Sequence, residues 1–335
     1  MAGNDFRSAI GFVGAGRFGL ALAQIVAENG REVVLFTTLP DRALELHETR
    51  RCPDVVPELE RLHPNVRITR DAEDLATSCT LVVLTVGAAY LEPALDAVGA
   101  VLDGAHQVVH AVHRLEGDAL LRTSQVLRQR SCVKQMGVIA GPTHVSELLS
   151  SRPNAAVVGS AFPAVIRGVQ AAFARANLRI YGNPDLRGVE LAAALGQVVA
   201  LAVGISDGLK LGAATHATLM TRGLAEISRI GTELGATERT FSGLAGVGRL
   251  VDAVRRGEPN YQLGLDLAVS TDPKATVASA SVEAQGLIVV QRVNAYAETN
   301  GIDLPICAAL GRVFDGTWTA EDAMRALMSI EQMYE

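Results

Sequence analysis

Short apolar runs alternate with helical segments through the first half of the chain. The first run covers residues 10–13 and is followed by a helix-like segment at 20–26 and a second run at 33–36. Strands that are apolar at nearly every position are typical of a parallel sheet covered by helices on both faces. Further runs of this kind occur at 66–68, 81–86, 108–112, 137–140 and 155–158. We therefore predict an α/β fold with a doubly wound, mostly parallel sheet.

The pattern changes after residue 184. Between 186 and 205 apolar residues fall on every face of the predicted helix, as in a helix that is buried on all sides. Later segments alternate helical stretches with turns such as 243–248, and none has the alternation expected of a strand. We predict an α/β domain over residues 1–184 and an all-helical domain over residues 185–335.

A glycine-rich loop joins the first apolar run to the first predicted helix. It reads Gly14, Ala15, Gly16, Arg17, Phe18, Gly19. In this G-x-G-x-x-G pattern the first glycine permits a tight turn, the second lets a pyrophosphate approach the backbone, and the third lets the helix pack closely on the strand. The helix N-terminus adds free N–H donors and the positive end of its dipole. The sequence therefore predicts a Rossmann dinucleotide-binding domain, with cofactor contacts from Gly14, Gly16, Arg17, Phe18 and Gly19.

Composition narrows the class of protein without naming a substrate. The chain has 335 residues, of which 49% are hydrophobic and 20% charged, and its net charge of −6 argues against a nucleic-acid partner. Its four cysteines are scattered and form no CxxC pair, which argues against a disulfide framework and a structural zinc site. We find neither the apolar core of a signal peptide nor an apolar run near the ~20 residues that span a membrane. We therefore expect a cytoplasmic protein with no membrane span.

A series of motifs resembles one known family along nearly the whole chain. After the glycine loop come IAGPT at 139–143, YGNPD at 181–185, GISDG at 204–208, TRGLAE at 221–226 and GLAGVG at 243–248. In this order the segments resemble the NAD(P)-dependent glycerol-3-phosphate dehydrogenases. Such a resemblance implies hydride transfer between nicotinamide and C2 of glycerol 3-phosphate or dihydroxyacetone phosphate, and a homodimer built on the helical domain. It also assigns cofactor contacts to Thr38, Val145 and Glu283, and substrate contacts to Gly141, Thr143 and Asn260.

The chain departs from this family at the positions that carry its chemistry. The family has a lysine after the fifth strand, a Lys-Asn pair on the central helix, an aspartate after the Gly-rich motif and a Ser-Arg-Asn that grips the phosphate. This sequence has, in that order, His113, Gly196 with Gln197, Arg249, and Glu258-Pro259-Asn260. Developing alkoxide charge needs cationic donors, so the loss of both lysines together with the clamp argues against the family reaction.

Histidine is the natural replacement for a lost acid or base, because its unperturbed pKa lies near ~6.5. We expect His113 to act as the general acid and base at a carbonyl oxygen, with Arg249 or Arg114 as a charge clamp. The alternative is that His113 is an ordinary, partly exposed histidine at a site no longer used. A metal site made by His110, His113 and His144 lacks a partnered carboxylate motif, so we expect none.

The choice of cofactor and the function stay open at this stage. Thr37 and Thr38 follow the second strand, with Arg42 beyond them, and these residues slightly favour NADP over NAD. The sequence favours an oxidoreductase with an altered substrate site, acting on a different small carbonyl or hydroxyl compound. The alternative is an inactive NAD(P)-binding pseudoenzyme with a regulatory or partner-binding role, and glycerol-3-phosphate dehydrogenase itself is the least favoured of the three.

Overall fold

The computed structural model describes residues 9–150, 152–174 and 177–329, so the N-terminal residues considered for a signal peptide lie outside it. Within the chain, contacts divide the residues into two compact units. The first is Met1–Val112 with Thr123–Val189, and the second is His113–Arg122 with Glu190–Glu335. The sequence places its boundary at 184 instead and assigns 113–122 to the first domain; those domain limits stay a prediction.

The first unit is built on an eight-stranded sheet. Its strands are β1 Ala9–Val13, β2 Val33–Phe36, β3 Val66–Thr69, β4 Cys79–Leu84, β5 Gln107–His110, β8 Gln135–Ala140, β9 Asn154–Gly159 and β10 Leu178–Asn183. Their order in the sheet is β10-β9-β8-β5-β4-β1-β2-β3. Every pair of neighbours is parallel except β8 with β9. This confirms the predicted doubly wound, mostly parallel sheet.

Helices connect these strands. They are α1 Arg17–Glu28, α2 Pro40–Thr49, α3 Ala72–Ser78, α4 Leu91–Val98, α5 Thr123–Arg130, α6 Val145–Leu149 and α7 Pro163–Ala172, with a 3-10 turn at Ala88–Tyr90. The chain runs from β1 to β2 and β3 on one side, and then returns to place β4 on the other side of β1. Open α/β sheets bind their ligands at the carboxyl ends of strands where the order reverses in this way. The glycine loop, which directly follows β1, therefore lies at the predicted ligand-binding edge.

The second unit contains one small hairpin and a set of helices. The hairpin pairs β6 Leu115–Glu116 with β7 Leu121–Arg122. Its helices are α8 Leu186–Gly208, which begins in the first unit, α9 Ala213–Glu233, α10 Glu238–Phe241, α11 Arg249–Ala253, α12 Pro259–Ala268, α13 Pro273–Ala278, α14 Gly286–Asn300, α15 Pro305–Phe314 and α16 Ala320–Ser329. Residues 185–329 contain no strand, so their described part is helical as predicted.

The helix α8 corrects the expectation that no segment has the length and composition of a membrane span. Its 23 residues have a mean hydropathy of 1.9 over the best window, which is long and apolar enough to cross a membrane. That window is completely buried inside the protein, as in the core helix of a globular domain. The apolar residues on every face of α8 are therefore accounted for by packing.

The segment predicted as a turn at 243–248 instead forms a π-helical turn over Leu244–Gly248, which leads directly into α11. Gly246 makes this close packing possible, because a Cβ there would overlap the carbonyl of Phe241. Single π-helical turns are found often at functional sites. Arg249, the first residue of α11, follows this turn directly.

Candidate functional site

The glycine loop of the first unit has the geometry that a pyrophosphate requires. Gly14 adopts a φ of 111°, which is unfavourable for other residues, and its N–H donates to the carbonyl of Phe36 at 2.9 Å. A Cβ on Gly16 would meet no atom within 4 Å, so the space beside this backbone is open. Gly16 is also the N-cap of α1 and has no side chain to occupy the helix N-terminus. The residues present therefore fit the phosphates of a dinucleotide.

Gly19 has a different role in the same loop. A Cβ there would overlap the carbonyl oxygen of Gly14 and the hydroxyl of Thr85. The Thr85 hydroxyl lies 3.2 Å from the carbonyls of both Val13 and Gly14, to which it donates, and so joins β4 to the loop. Gly19 is therefore needed for packing within the fold, whereas the backbone at Gly16 borders open space.

Arg17 and Phe18, the two variable residues of the loop, point to different surroundings. Phe18 packs against the apolar core of the first unit. Arg17 is half-exposed and forms an ion pair with Glu58, which lies in the segment between α2 and β3. The sequence predicted Arg17 as a cofactor contact and gave no sign of Glu58 as its partner.

The residues expected to choose between NAD and NADP are largely engaged within the protein. Thr38 is exposed, while the Thr37 hydroxyl accepts a hydrogen bond from the Leu39 N–H at 3.2 Å. Arg42 donates to Glu45 at 2.7 Å and also contacts the sulfur of Cys52, whose pKa is raised mainly by burial. Because Arg42 is paired with Glu45 on its own helix, it gives little support to the slight preference for NADP that the sequence indicated.

The IAGPT motif follows β8 in the first unit. Gly141 has a φ of 125°, and a Cβ there would lie 3.2 Å from the Cα of Ala156. Thr143 and His144 are half-buried, and Val145 is the buried first residue of α6. The motif therefore reverses the chain at the carboxyl end of β8. Gly141 and Thr143 as substrate contacts, and Val145 as a cofactor contact, stay predictions.

In the second unit a relay of hydrogen bonds links three of the predicted catalytic and substrate residues. The side-chain amide of Gln197 donates to the main-chain carbonyl of His113 at 2.8 Å. Its oxygen accepts from the Asn260 amide at 3.2 Å, and the Asn260 oxygen accepts from the Gly286 N–H at 2.7 Å. Gln197 and Asn260 are each 8% exposed. The relay therefore fixes the His113 segment to α8, α12 and the start of α14.

Gly286 is adapted to this arrangement. A Cβ at Gly286 would lie 2.6 Å from the Asn260 side-chain oxygen and 3.0 Å from the carbonyl of Gln197. Glu283, predicted as a cofactor contact, lies three positions earlier in an exposed segment. The relay thus ends beside the segment that carries Glu283.

Gly196, where the family has a lysine, is buried on α8. A Cβ there would lie 3.2 Å from Cδ2 of Leu250, a residue that is 2% exposed. An apolar side chain therefore lies against the position from which the family lysine would extend.

Arg249 lies between two carboxylates. Its guanidinium is 3.3 Å from Asp252 and 3.5 Å from Glu258. Arg255 also interacts with Glu258, although burial has the larger effect and lowers the pKa of Arg255. Arg249, which the sequence predicted as a charge clamp, is therefore paired with two carboxylates.

The hairpin that follows His113 is held by ion pairs. Glu116 pairs with Arg114 and, at 3.0 Å, with Arg292 of α14, which also donates to the carbonyl of Leu115. Arg114, the alternative charge clamp, is thus paired beside His113. Glu116 is the last residue of the family motif that begins at His113, whereas no motif marks Arg292.

A second polar cluster lies at the end of α8. The Asp207 carboxylate accepts from the Tyr261 hydroxyl at 2.8 Å and lies 3.1 Å from Nδ1 of His216. Burial, followed by the hydrogen bond to Asp207, raises the pKa of Tyr261 to about 12. This cluster joins α8, α9 and α12, and Asp207 belongs to the GISDG motif at 204–208.

Within the described parts of the chain, no three His, Cys, Asp or Glu side chains are grouped so as to hold a metal ion. His110 is fully buried, with Nδ1 3.2 Å from the carbonyl of Val112. The structure therefore offers no support for a cation at the histidines.

A Rossmann sheet with an open phosphate loop, accompanied by a helical second unit, defines an NAD(P)-linked oxidoreductase. Comparison with known families makes this specific. The family model for the N-terminus of NAD-dependent glycerol-3-phosphate dehydrogenase matches residues 9–165, and that for its C-terminus matches residues 185–325. The chain belongs to the NAD-dependent glycerol-3-phosphate dehydrogenase family, as the motifs indicated, and its cofactor is NAD or NADP.

Individual relatives match over nearly their whole length. Glycerol-3-phosphate dehydrogenase [NAD(P)+] of Trichlorobacter lovleyi is 35% identical over 329 residues, covering 96% of this chain and 97% of the relative. The enzyme of that name from Staphylococcus haemolyticus is 31% identical over 330 residues, covering 96% and 98%. The crystal structure of glycerol-3-phosphate dehydrogenase from Coxiella burnetii has a TM-score of 0.87 at 26% identity and covers 97% of this chain and 100% of its own.

Proposed function

We propose that the protein is an NAD(P)-dependent oxidoreductase that interconverts a small carbonyl compound and its alcohol, with a substrate different from that of its named relatives. When bound, the cofactor supplies or accepts the hydride. Gly14, Gly16 and Gly19 shape the loop for its pyrophosphate, and the N-terminus of α1 provides N–H donors there.

His113 is the residue that we assign to proton transfer. The observation that carries this assignment is the 2.8 Å hydrogen bond from Gln197 to the His113 carbonyl. A catalytic acid needs a fixed backbone, because proton transfer depends on geometry before it depends on pKa. His113 would donate a proton to the carbonyl oxygen during reduction and accept one from the hydroxyl during oxidation.

The charges around Arg249 support a substrate without a phosphate. A phosphate dianion is held by surplus cations or by bidentate arginines. Here Arg249 lies between Asp252 and Glu258, and Glu258 also interacts with Arg255, so carboxylates offset the charge of both arginines. Pro259 stands where the resemblance expects the phosphate-binding arginine, which removes one further cation. A neutral carbonyl compound does not need surplus cations in order to bind.

One observation favours a second candidate, glycerol-3-phosphate dehydrogenase itself. Relatives with that name are 31% to 35% identical over nearly the whole chain. In that case His113 alone would replace two lysines, and cations near the substrate would have to come from Arg249, Arg255 or Arg256. Losing a single charged donor lowers such rates by about 10²–10³-fold, so this activity would be slow.

A substrate screen with the purified full-length protein tests the proposal. NADH and NADPH oxidation is followed with dihydroxyacetone phosphate and with a panel of unphosphorylated aldehydes, ketones and imines. We expect the largest kcat/KM for an unphosphorylated compound. The largest value for dihydroxyacetone phosphate would establish the second candidate. Cofactor binding without reduction of any compound would make the protein a nucleotide-binding pseudoenzyme.

The cytoplasmic location and the homodimer predicted from the sequence are kept as part of this proposal. Light scattering on the eluting peak from size-exclusion chromatography measures the mass directly. A mass of one chain would contradict the homodimer.

A further inference from the structure

An ion pair crosses from the phosphate loop to a neighbouring segment of the first unit. Arg17 is the first residue of α1, immediately after Gly16, so its side chain begins beside the open space above the loop. Its guanidinium is paired with the carboxylate of Glu58. Arg17 and Glu58 keep side-chain exposures of 49% and 30%, so both remain accessible to a ligand arriving from solvent.

The segment that carries Glu58 is firmly held. Cys52, Val56 and Leu62 are each at most 2% exposed, and the Leu62 N–H donates to the Arg50 carbonyl at 2.8 Å. On either side of Glu58, Val55 and Leu59 pack against the same apolar core as Phe18.

The segment is also tied to α1 itself. The side-chain oxygen of Gln24 accepts a hydrogen bond from the His63 N–H at 2.8 Å. The carboxylate of Glu58 is therefore placed beside Arg17 by folded structure on both sides of the pair, and not by a free loop.

A pyrophosphate at this loop brings negative charge to the place where Arg17 begins. Arg17 can make charge-assisted hydrogen bonds to phosphate oxygens, but in the free protein its guanidinium is already neutralised by Glu58. The fixed carboxylate also repels an incoming anion. We propose that Glu58 competes with the cofactor pyrophosphate for Arg17 and thereby sets the affinity for the nucleotide. This rests on cofactor binding and not on which substrate is reduced.

Cofactor affinity measured by calorimetry tests the competition directly, using NADH, NADPH and ADP-ribose. Glu58→Gln removes the carboxylate charge and keeps the size of the side chain. We expect it to lower Kd by about two- to fivefold, the range for a partly exposed ion pair. The gain should shrink as salt is raised, because added ions screen the interaction. Adenosine, which has no phosphate, should bind the two proteins equally.

A double-mutant cycle tests whether Arg17 is the group for which Glu58 and the pyrophosphate compete. Arg17→Ser should raise Kd more strongly in the Glu58→Gln background than in the natural chain. Only in that background can Arg17 bind phosphate without giving up its ion pair with Glu58. Glu60→Gln is the matched control, since Glu60 is exposed in the same segment and loses the same charge. Thermal unfolding without ligand checks that all variants are folded.

The outcomes separate this inference from the proposed function. An unchanged or higher Kd in Glu58→Gln, or the same gain in Glu60→Gln, would overturn the competition. The competition would also be overturned if the natural protein bound none of NADH, NADPH and ADP-ribose. Failure to reduce any carbonyl compound, with the Kd pattern as expected, would overturn the proposed activity and support the competition.

Discussion

The side-chain amide of Gln197 donates a hydrogen bond to the main-chain carbonyl of His113 at 2.8 Å, although the two residues are 84 positions apart. The same amide accepts from Asn260, so one buried side chain uses its donor and its acceptor at once. Hydrogen bonds made by a buried amide favour one arrangement of the segments that it joins. Whatever the substrate, the position of His113 depends on Gln197.

Gln197→Met tests this dependence. Methionine has a similar volume but provides neither the donor nor the acceptor, so the His113 carbonyl and the Asn260 amide each lose a partner. We expect the free energy of unfolding to fall by about 1–3 kcal/mol, the usual effect of an unsatisfied buried group. We also expect kcat to fall more than cofactor affinity, because the glycine loop that is proposed to hold the pyrophosphate lies in the first unit. Urea unfolding, turnover and calorimetry measure the three effects.

The control for this variant is Gln262→Met. Gln262 is exposed on α12 and donates to Asp266 at 2.9 Å, so the same substitution removes a surface hydrogen bond. Its stability should change by less than about 0.5 kcal/mol. Equal losses of stability and kcat in the two variants would show that Gln197 does not position His113.

His113→Gln tests the proposed acid and base itself. Glutamine keeps a polar side chain but cannot exchange a proton near neutral pH, so turnover of a carbonyl substrate should fall by about 10²–10⁴-fold. Cofactor Kd should be unchanged, and any pH dependence due to the imidazole should disappear from the remaining rate. His47→Gln, on the exposed side of α2, serves as the control. Retained turnover in His113→Gln would remove this residue from the mechanism.

Two glycines of the phosphate loop should respond in opposite ways to alanine. At Gly16 the added methyl group meets no protein atom, so the free energy of unfolding should stay within about 1 kcal/mol while cofactor Kd rises. At Gly19 it would overlap the Gly14 carbonyl and Thr85, and stability should fall by about 1–3 kcal/mol. Thermal unfolding and calorimetry separate the effects. Unchanged affinity in Gly16→Ala would contradict pyrophosphate binding at this loop.

Local patterns were sufficient to predict the fold. The apolar runs became buried parallel strands because a strand covered on both faces has no polar side. The glycine loop was recognisable because its requirements arise within a few residues of one another, such as the positive φ of Gly14 and the close packing of Gly19 on the Gly14 carbonyl. The all-round apolar pattern of α8 was likewise sufficient to predict a buried helix.

The arrangement of the candidate site depends on contacts that no local pattern contains. Asn260 bonds to Gln197 across 63 positions, and Arg17 pairs with Glu58 across 41. A sequence shows which charges exist, but folding decides which of them neutralise one another. Arg249 could therefore be named as a cation from its position, whereas its two carboxylate neighbours required the structure.

Glu226 provides a prediction about stability that is independent of any substrate. This carboxylate on α9 is 6% exposed and accepts hydrogen bonds from the N–H groups of Ile306 and Cys307, at 2.8 and 2.9 Å. Both donors belong to the first turn of α15, where a negative charge is favoured by the helix dipole. Burial nevertheless dominates, and the pKa of Glu226 is raised above its ordinary value of 4.5.

The raised pKa of Glu226 decides in which direction its contribution to the free energy of unfolding changes with pH. The unfolded chain releases the Glu226 proton more readily than the folded protein does. The stabilising contribution is therefore complete below pH 4.5 and is lost as pH rises through the raised value. Each unit of pKa difference corresponds to about 1.4 kcal/mol.

Glu226→Gln, which has no proton to release, should gain stability relative to the natural protein as urea unfolding is repeated from pH 4.5 upwards. Glu233→Gln, exposed on the same helix, is the matched control substitution. A constant difference between Glu226→Gln and the natural protein across this range would show that the buried carboxylate titrates as it does in the unfolded chain.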